Sequence, residues 1–202
     1  MGESKDRRGD TRILVGGGIG SGKSRAGLRF AELGATVVEA DRLGHEVLEP
    51  DGAAFATVAE LWPEVLVDGH IDRRALAVIV FADPARLKEL EALTHPGIIE
   101  RIWAIAVDSD HLVVEIPITL DIPGVWTKVF VDADKETRIR RAVSRGLSEQ
   151  DVSLRMANQA SRAEWLRWAD RVIDNNGSVA DLERQIDALW DGLLNPNDGR
   201  RP

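Results

Sequence analysis

Residues Gly16–Ser24 read GGGIGSGKS, and no other stretch of this chain restricts its folding as tightly. The string contains Gly17, four intervening residues and then Gly22-Lys23-Ser24, the spacing of a phosphate-cradling loop. Glycines let a backbone wrap closely around an anion, so that successive N–H groups point inward. A helix opening near Lys23 presents the positive end of its dipole to the same anion. Lys23 can then reach the outer phosphates, while the Ser24 hydroxyl suits Mg²⁺ beside them. The alternative is a bare Gly-rich turn, but the flanks favour the phosphate loop: RILV before it reads as a strand and KSRAGLRFAEL after it as a helix.

Around this motif, short apolar runs alternate with longer helical patterns. The strand candidates are Arg12–Gly16, Thr36–Glu39, Leu112–Ile116, Lys128–Val131 and Val172–Ile173. Helical patterns cover 23–33, 54–62, 72–80, 84–91, 96–107, 135–145, 148–158, 161–168 and 179–193. Such alternation predicts an α/β fold, a parallel sheet of about five strands with helices on both faces. The stretch 42–110 reads as helices without a convincing strand, hence as a helical insert between the second and third strands. Residues 1–10 and 195–202 are polar ends expected to be flexible.

Composition narrows the partners. Of 202 residues, 44% are hydrophobic and 30% charged, an ordinary globular mix. The absence of cysteine excludes disulfides and thiolate metal sites. The net charge of −8 and the pI near 5.1 argue against broad binding to nucleic acid or to anionic membranes. No apolar run approaches the roughly 20 residues that span a bilayer, and MGESKDRRGD lacks the apolar segment of a secretory signal. A cytoplasmic protein is expected, in which any phosphate ligand is caught by a local basic cluster.

One basic helix meets that expectation, and carboxylates at the strand ends offer proton transfer or metal binding beside it. TVVEAD ends a strand with Glu39 and Asp41, at the edge of a parallel sheet where ligands bind. Asp41 can take the proton of an attacking hydroxyl or help hold Mg²⁺; alternatively it caps a helix starting near Arg42. Glu115, at the end of LVVEIP, fits a Mg²⁺-associated acid or a carboxylate satisfied by loop N–H groups. In KETRIRRAVSRGLS, Arg138, Arg141 and Arg145 fall on one arc of a helix. Like charges so spaced repel unless an anion lies on them. The alternative is a solvated face paired with Asp134, Glu136 and Glu149. Gly146 would supply the hinge of a lid. Trp165 and Trp168, one turn apart, read as core packing rather than as a ligand platform.

Further strings carry a family resemblance over nearly the whole chain, from Ile13 to Leu194. Beside GGIGSGKS stand EAD (39–41), HEVLEP (45–50), DGHIDRRAL (68–76), VFADP (80–84), LTHP (93–96), EIP (115–117), RGLS (145–148), NQASR (158–162) and VIDNNGS (172–178). In this order they resemble the dephospho-coenzyme A kinase family. The resemblance implies one P-loop kinase domain over 11–194. Its core would be 11–41, 111–134 and 169–194, with a helical acceptor-binding lobe at 42–110 and a lid at 135–168. It further implies a monomer, strand order 2-3-1-4-5, and transfer of the ATP γ-phosphoryl group to the ribose 3′-hydroxyl of dephospho-coenzyme A with Mg²⁺.

Carried over by position, the ATP-binding set is Gly18, Gly20, Ser21, Gly22, Lys23, Ser24 and Arg25 with Arg141, Arg145 and Asn175, the last beside adenine. Lys23, Asp41 and Arg145 would be catalytic. Asp41 and His95 would face the acceptor, although His95 also fits packing or capping at a helix start opened by Pro96. Ser24 would hold Mg²⁺, with Asp41 or Glu115 acting through water. The chain departs from the family pattern at Gly16 (usually Thr), at Arg25 (usually Ser or Thr) and at Glu39 and Glu115 (usually Asp). Asp51 is an insertion in the usual Glu-Pro-Gly turn, and an Asp is missing between Arg145 and Gly146. Two other readings share the core: another small-molecule or nucleoside monophosphate kinase, and a non-catalytic nucleotide-binding paralogue.

Overall fold

The computed structural model describes residues 10–195. The expected flexible ends, 1–10 and 195–202, lie outside these residues apart from Asp10 and Asn195. Five parallel strands form the main sheet: β1 (Thr11–Gly16), β2 (Thr36–Glu39), β5 (His111–Ile116), β6 (Thr127–Asp132) and β7 (Arg171–Asp174). Their spatial order is β2-β5-β1-β6-β7, which is 2-3-1-4-5 when only core strands are counted. The sheet expected from sequence is therefore present, with each boundary within one residue.

The three central strands, β1, β5 and β6, are largely buried because helices cover both faces, whereas the edge strands β2 and β7 each bury a single residue. On one face α1 (Lys23–Glu32) and α9 (Val179–Leu194) pack together. There Phe30, Leu182, Ile186 and Trp190 meet Ile13, Val15, Val129 and Val131. Side chains alternate along a strand, so Phe130 points to the opposite face, where it stacks on Trp165 of α8 (Arg162–Trp168) at 5.7 Å. Trp168 meets Trp165 edge-on at 5.2 Å. Trp165 is core, as the helical spacing suggested, while Trp168 is half-buried with Lys128 Nζ 5.7 Å over its ring. Trp165 also accounts for Gly16, since a Cβ there would stand 2.2 Å from the indole ring. The threonine of the resembled family would not fit under this tryptophan.

The chain divides into two compact units, one built from the residues up to Glu39 and from Asp108 onward, the other from Ala40–Val107. The second contains α2 (Ala40–Glu46), α3 (Phe55–Leu61), α4 (Arg73–Phe81) and α5 (Pro84–Val107). Sequence reading missed one element of it, the antiparallel hairpin of β3 (Leu66–Val67) and β4 (His70–Ile71). Its turn, Asp68-Gly69, has φ of +48° and +79°, the primed geometry that an Asp-Gly pair favours. Strands of two residues are too short to show alternation. Sequence reading also split 84–91 from 96–107 at Pro96, whereas α5 runs through it. Val47 and Ala53 meet the neighbouring Gly97, at 3.1–3.2 Å from its would-be Cβ. Tertiary packing thus overrides the helix-breaking tendency of proline. No helix among the described residues is long and apolar enough to cross a membrane.

Between β6 and α8 lie α6 (Lys135–Val143) and α7 (Glu149–Ala157). Asp134 caps α6 and Ser148 caps α7, each accepting a backbone N–H of the first turn.

Candidate active site

In a parallel sheet all carboxyl ends lie along one edge, and loops leaving that edge build the site. The Gly16–Ser24 loop leaves β1 there and turns into α1. Asp72, Asp134, Ser148, Ser161 and Ser178 cap α4, α6, α7, α8 and α9 with their side chains. The N-cap of α1 is instead Gly22, left-handed at φ +104°, with no side-chain cap. The first amides of a helix have no acceptor within it, so at α1 they remain suited to an anion. Lys23 reaches back over the loop and donates from Nζ to the Gly17 carbonyl at 2.5 Å.

Neighbouring segments hold the loop in shape. Asn175, just beyond β7 and 5% exposed, donates from Nδ2 to the Ser21 carbonyl at 2.7 Å. Glycine at 22 makes room for it, because a Cβ would stand 2.1 Å from that nitrogen. The Ile19 peptide is gripped from both sides. Its N–H donates to Gln159 Oε1 at 2.8 Å and its carbonyl accepts from Arg138 Nε at 2.9 Å. Burial lowers the Arg138 pKa and Asp132 pulls against that shift; the guanidinium is a cation throughout. Asp132, buried at the end of β6, accepts Arg162 through Nε at 2.8 Å and so ties the start of α8 to the sheet.

The arginine arc is therefore divided. Arg138 is spent on the loop backbone rather than on a ligand. Arg145 lies beyond the end of α6, in the turn closed by Gly146 at φ +95°, not on the helical face that spacing assigned to it. It still returns to the site, because its Nε donates to the Arg141 carbonyl at 3.1 Å. Arg141 and Arg145 line a cavity of about 360 Å³ with Gly18, Ile19, Gly20, Gly22, Lys23, Ser24, Arg25, Asn175, Val179 and Leu182. One buried nitrogen of Arg141 has no protein partner. Asp134, suggested from sequence as a surface partner for these arginines, accepts the Thr137 N–H, and this bond lowers its pKa.

Of the ATP-binding set expected from sequence, all but Ser21 line this cavity. Ser21 is buried in the loop and contributes through its carbonyl. Arg25 lines the wall while paired with Glu183 of α9. Sequence reading missed the bracing roles of Arg138 and Gln159, and the apolar wall of Val179 and Leu182. KETRIRRAVSRGLS, NQASR and NNGSVADL held those residues, but no spacing rule marks a brace.

Ser24 Oγ donates to Glu115 Oε2 at 3.1 Å. Glu115 is only 8% exposed, and it is not a carboxylate held merely by loop amides. A hydroxyl beside a carboxylate next to the phosphate loop is a hard-oxygen set that fits Mg²⁺, which keeps few protein ligands and completes its shell with phosphates and water. No cluster of three or more acidic, histidine or cysteine ligands occurs among the described residues. The donor set thus suits a cation that arrives with a nucleotide.

In the helical unit, Asp41 lies in the first turn of α2 and is exposed. The helix begins at Ala40, so Asp41 is not its N-cap and that alternative falls. His95 is half-buried within α5, one residue before Pro96. Its capping of a helix start is likewise excluded, because no helix starts there.

An uncapped helix behind a glycine loop, with a lysine and two arginines around the same cavity on a 2-3-1-4-5 parallel sheet, defines a P-loop kinase. The model of the family described as dephospho-CoA kinase matches residues 12–181. The dephospho-CoA kinase of Leifsonia xyli is 41% identical over 89% of this chain and 98% of its own length. The Thermus thermophilus protein TT1252 superposes with a TM-score of 0.75 at 35% identity, covering 91% of this chain and 99% of that one. Dephospho-CoA kinase from Campylobacter jejuni gives a TM-score of 0.64 at 25% identity, over 92% and 98% of the two chains. The chain belongs to the dephospho-CoA kinase family.

Proposed function

We infer that this chain transfers the γ-phosphoryl group of ATP to the ribose 3′-hydroxyl of dephospho-coenzyme A, the last step of coenzyme A biosynthesis. The observation that carries the reading is the convergence of Lys23, Ser24, Arg141 and Arg145 on one cavity in a chain of this family.

The loop amides and Lys23 receive the phosphates, Lys23 exchanging the Gly17 carbonyl for phosphate oxygen. Arg141 and Arg145 approach from the other side, where charge spreads over the transferring group. The apolar wall of Val179 and Leu182 suits the nucleotide base. The 3′-oxygen attacks the γ-phosphorus; a new P–O bond forms, the bond to the bridging oxygen breaks and ADP leaves. The hydroxyl proton passes to Asp41, two residues beyond the carboxyl end of β2. Mg²⁺, when bound, neutralises phosphate charge; Ser24 and Glu115 are the residues that would hold it. Residues 42–110 are assigned to the acceptor and α6–α8 to the lid.

The deciding experiment offers the purified protein Mg-ATP with dephospho-coenzyme A, AMP, CMP, adenosine, shikimate or gluconate. Phosphorus NMR and mass spectrometry should show a 3′-phosphate on dephospho-coenzyme A and much weaker transfer elsewhere. Binding energy of the remote pantetheine arm can orient the reacting hydroxyl, so its removal should lower turnover as well as affinity. Preference for a short monophosphate would make the chain another kinase of this fold. ATP binding with no acceptor consumed would mark a non-catalytic relative.

A further inference from the structure

Gly27 sits in the second turn of α1, where a glycine costs roughly 1 kcal/mol relative to alanine. Its backbone is helical, so conformation does not demand glycine there. Space does. A Cβ at position 27 would stand 2.1 Å from Glu115 Oε1 and 3.0 Å from its Cδ. The other carboxylate oxygen, Oε2, accepts the Ser24 hydroxyl at 3.1 Å. Ser24 and Gly27 are three residues apart and so share one face of α1. One buried carboxylate is thus seated by two adjacent features of the same helix: an oxygen in the notch at Gly27, and an oxygen against the hydroxyl that opens the helix.

We propose that Gly27 is a positioning residue for the cation side of the phosphate site, its absent side chain being the seat that sets the Glu115 carboxylate against Ser24. The proposal rests on the reading of Ser24 and Glu115 as the groups that meet Mg²⁺. It accounts for two features together. A glycine interrupts an otherwise good helix, and the acid at position 115 is one methylene longer than aspartate. Glutamate reaches past the plane that an alanine methyl would occupy; aspartate would stop short of it.

The test is a double-mutant cycle in the full chain, Gly27→Ala, Glu115→Asp and both together, with Glu115→Gln as reference. Two readouts are taken: Mg²⁺ dependence of turnover at fixed ATP, and calorimetric affinity for Mg-ATP against ATP in EDTA. Gly27→Ala chiefly displaces the end of the Glu115 side chain, with a lesser contact on Val37, so the variant should fold, which circular dichroism checks. It should weaken the apparent Mg²⁺ affinity by roughly tenfold, the lower end of what displaced groups around a metal site cost, and leave ATP binding in EDTA unchanged. Glu115→Asp placed in that background should restore most of the loss, because the shorter acid leaves the notch to the new methyl.

Wild-type Mg²⁺ dependence in Gly27→Ala, with Glu115→Gln impaired, overturns the proposal and leaves the cation reading standing. Wild-type dependence in Glu115→Gln removes the cation reading itself. A Gly27→Ala defect that Glu115→Asp does not relieve assigns the glycine to packing against Val37, whose Cγ1 lies 3.3 Å from the added carbon, and also overturns it.

Discussion

The α/β unit and the helical unit assemble functional groups in different ways. In the first, Lys23, Arg141, Arg145 and Asn175 come from three separated segments and line one cavity, because parallel strands deliver their loops to one edge. In the second, Asp41 and His95 lie on different helices, and charged side chains form surface pairs within the unit. Examples are Arg101–Glu46 at 3.2 Å and Arg42–Glu46 at 3.5 Å. A phosphate is small and doubly charged, so backbone amides at a fixed spacing bind it. An extended acceptor is bound by area, which no fixed spacing encodes. The contrast predicts that single substitutions act more severely in the first unit.

The largest effect should come from Lys23→Ala. Turnover should fall by roughly 10³-fold, the scale of one preorganised charge contact in a shielded site. Circular dichroism should be unchanged, because Lys23 packs on the loop rather than in the core. Wild-type turnover would remove Lys23 from the chemistry. Asp41→Asn asks whether the helical unit contributes chemistry at all. Since Asp41 is exposed and is not a cap, melting should not move, while turnover should drop by about 10²-fold if it accepts the proton. An unchanged rate would reduce that unit to acceptor binding and sharpen the contrast.

Within the α/β unit, the arginines separate into ligand groups and braces. Arg145→Lys keeps the charge and loses the planar fork, so turnover should fall by about tenfold, or 1.4 kcal/mol, one charged hydrogen bond. Arg140, outside the cavity, should tolerate alanine in the same assay. Equal sensitivity of the two would mean that the cavity lining does not mark the ligand side.

The same division explains what the sequence made legible. The core strands were readable because each is a short apolar run, and the loop because glycine, lysine and serine stand at fixed offsets. The Asp68-Gly69 hairpin carried its signal in the open, yet strands of two residues have no periodicity. Arg138 looked like Arg141 because helical spacing gives a direction but not what lies at its end. Only the fold shows that the Ile19 carbonyl is there. Gly16 was visible as a departure from the family; its cause, Trp165, is 149 positions away in sequence and touches it only after α8 has docked.

The smallest effect should be at Ser178, and it tests whether the cavity wall depends on local helix stability. Val179 and Leu182 belong to the first turns of α9, which Ser178 and Asp181 close with a reciprocal capping box. Hydrogen bonds donated from Ser178, then the Arg184 contact, hold the Asp181 pKa down, from 3.8 to about 2. A carboxyl whose pKa is depressed on folding contributes stability that is fully present above its unfolded value. That contribution fades as pH falls from about 4 towards about 2. Ser178→Ala should therefore cost about 1 kcal/mol at neutral pH, the ordinary worth of an N-cap. Its deficit against wild type should shrink without vanishing as the pH approaches 2, where the wild-type Asp181 carboxyl is half protonated but the Asp181 N–H still donates to the Ser178 hydroxyl. ATP affinity at neutral pH should stay within a factor of about two, since the fold remains far from its midpoint and the wall residues keep their places. A large loss of affinity with little loss of stability would mean that the cap sets the wall directly. The α/β unit would then hold its ligand by helix placement as much as by charge.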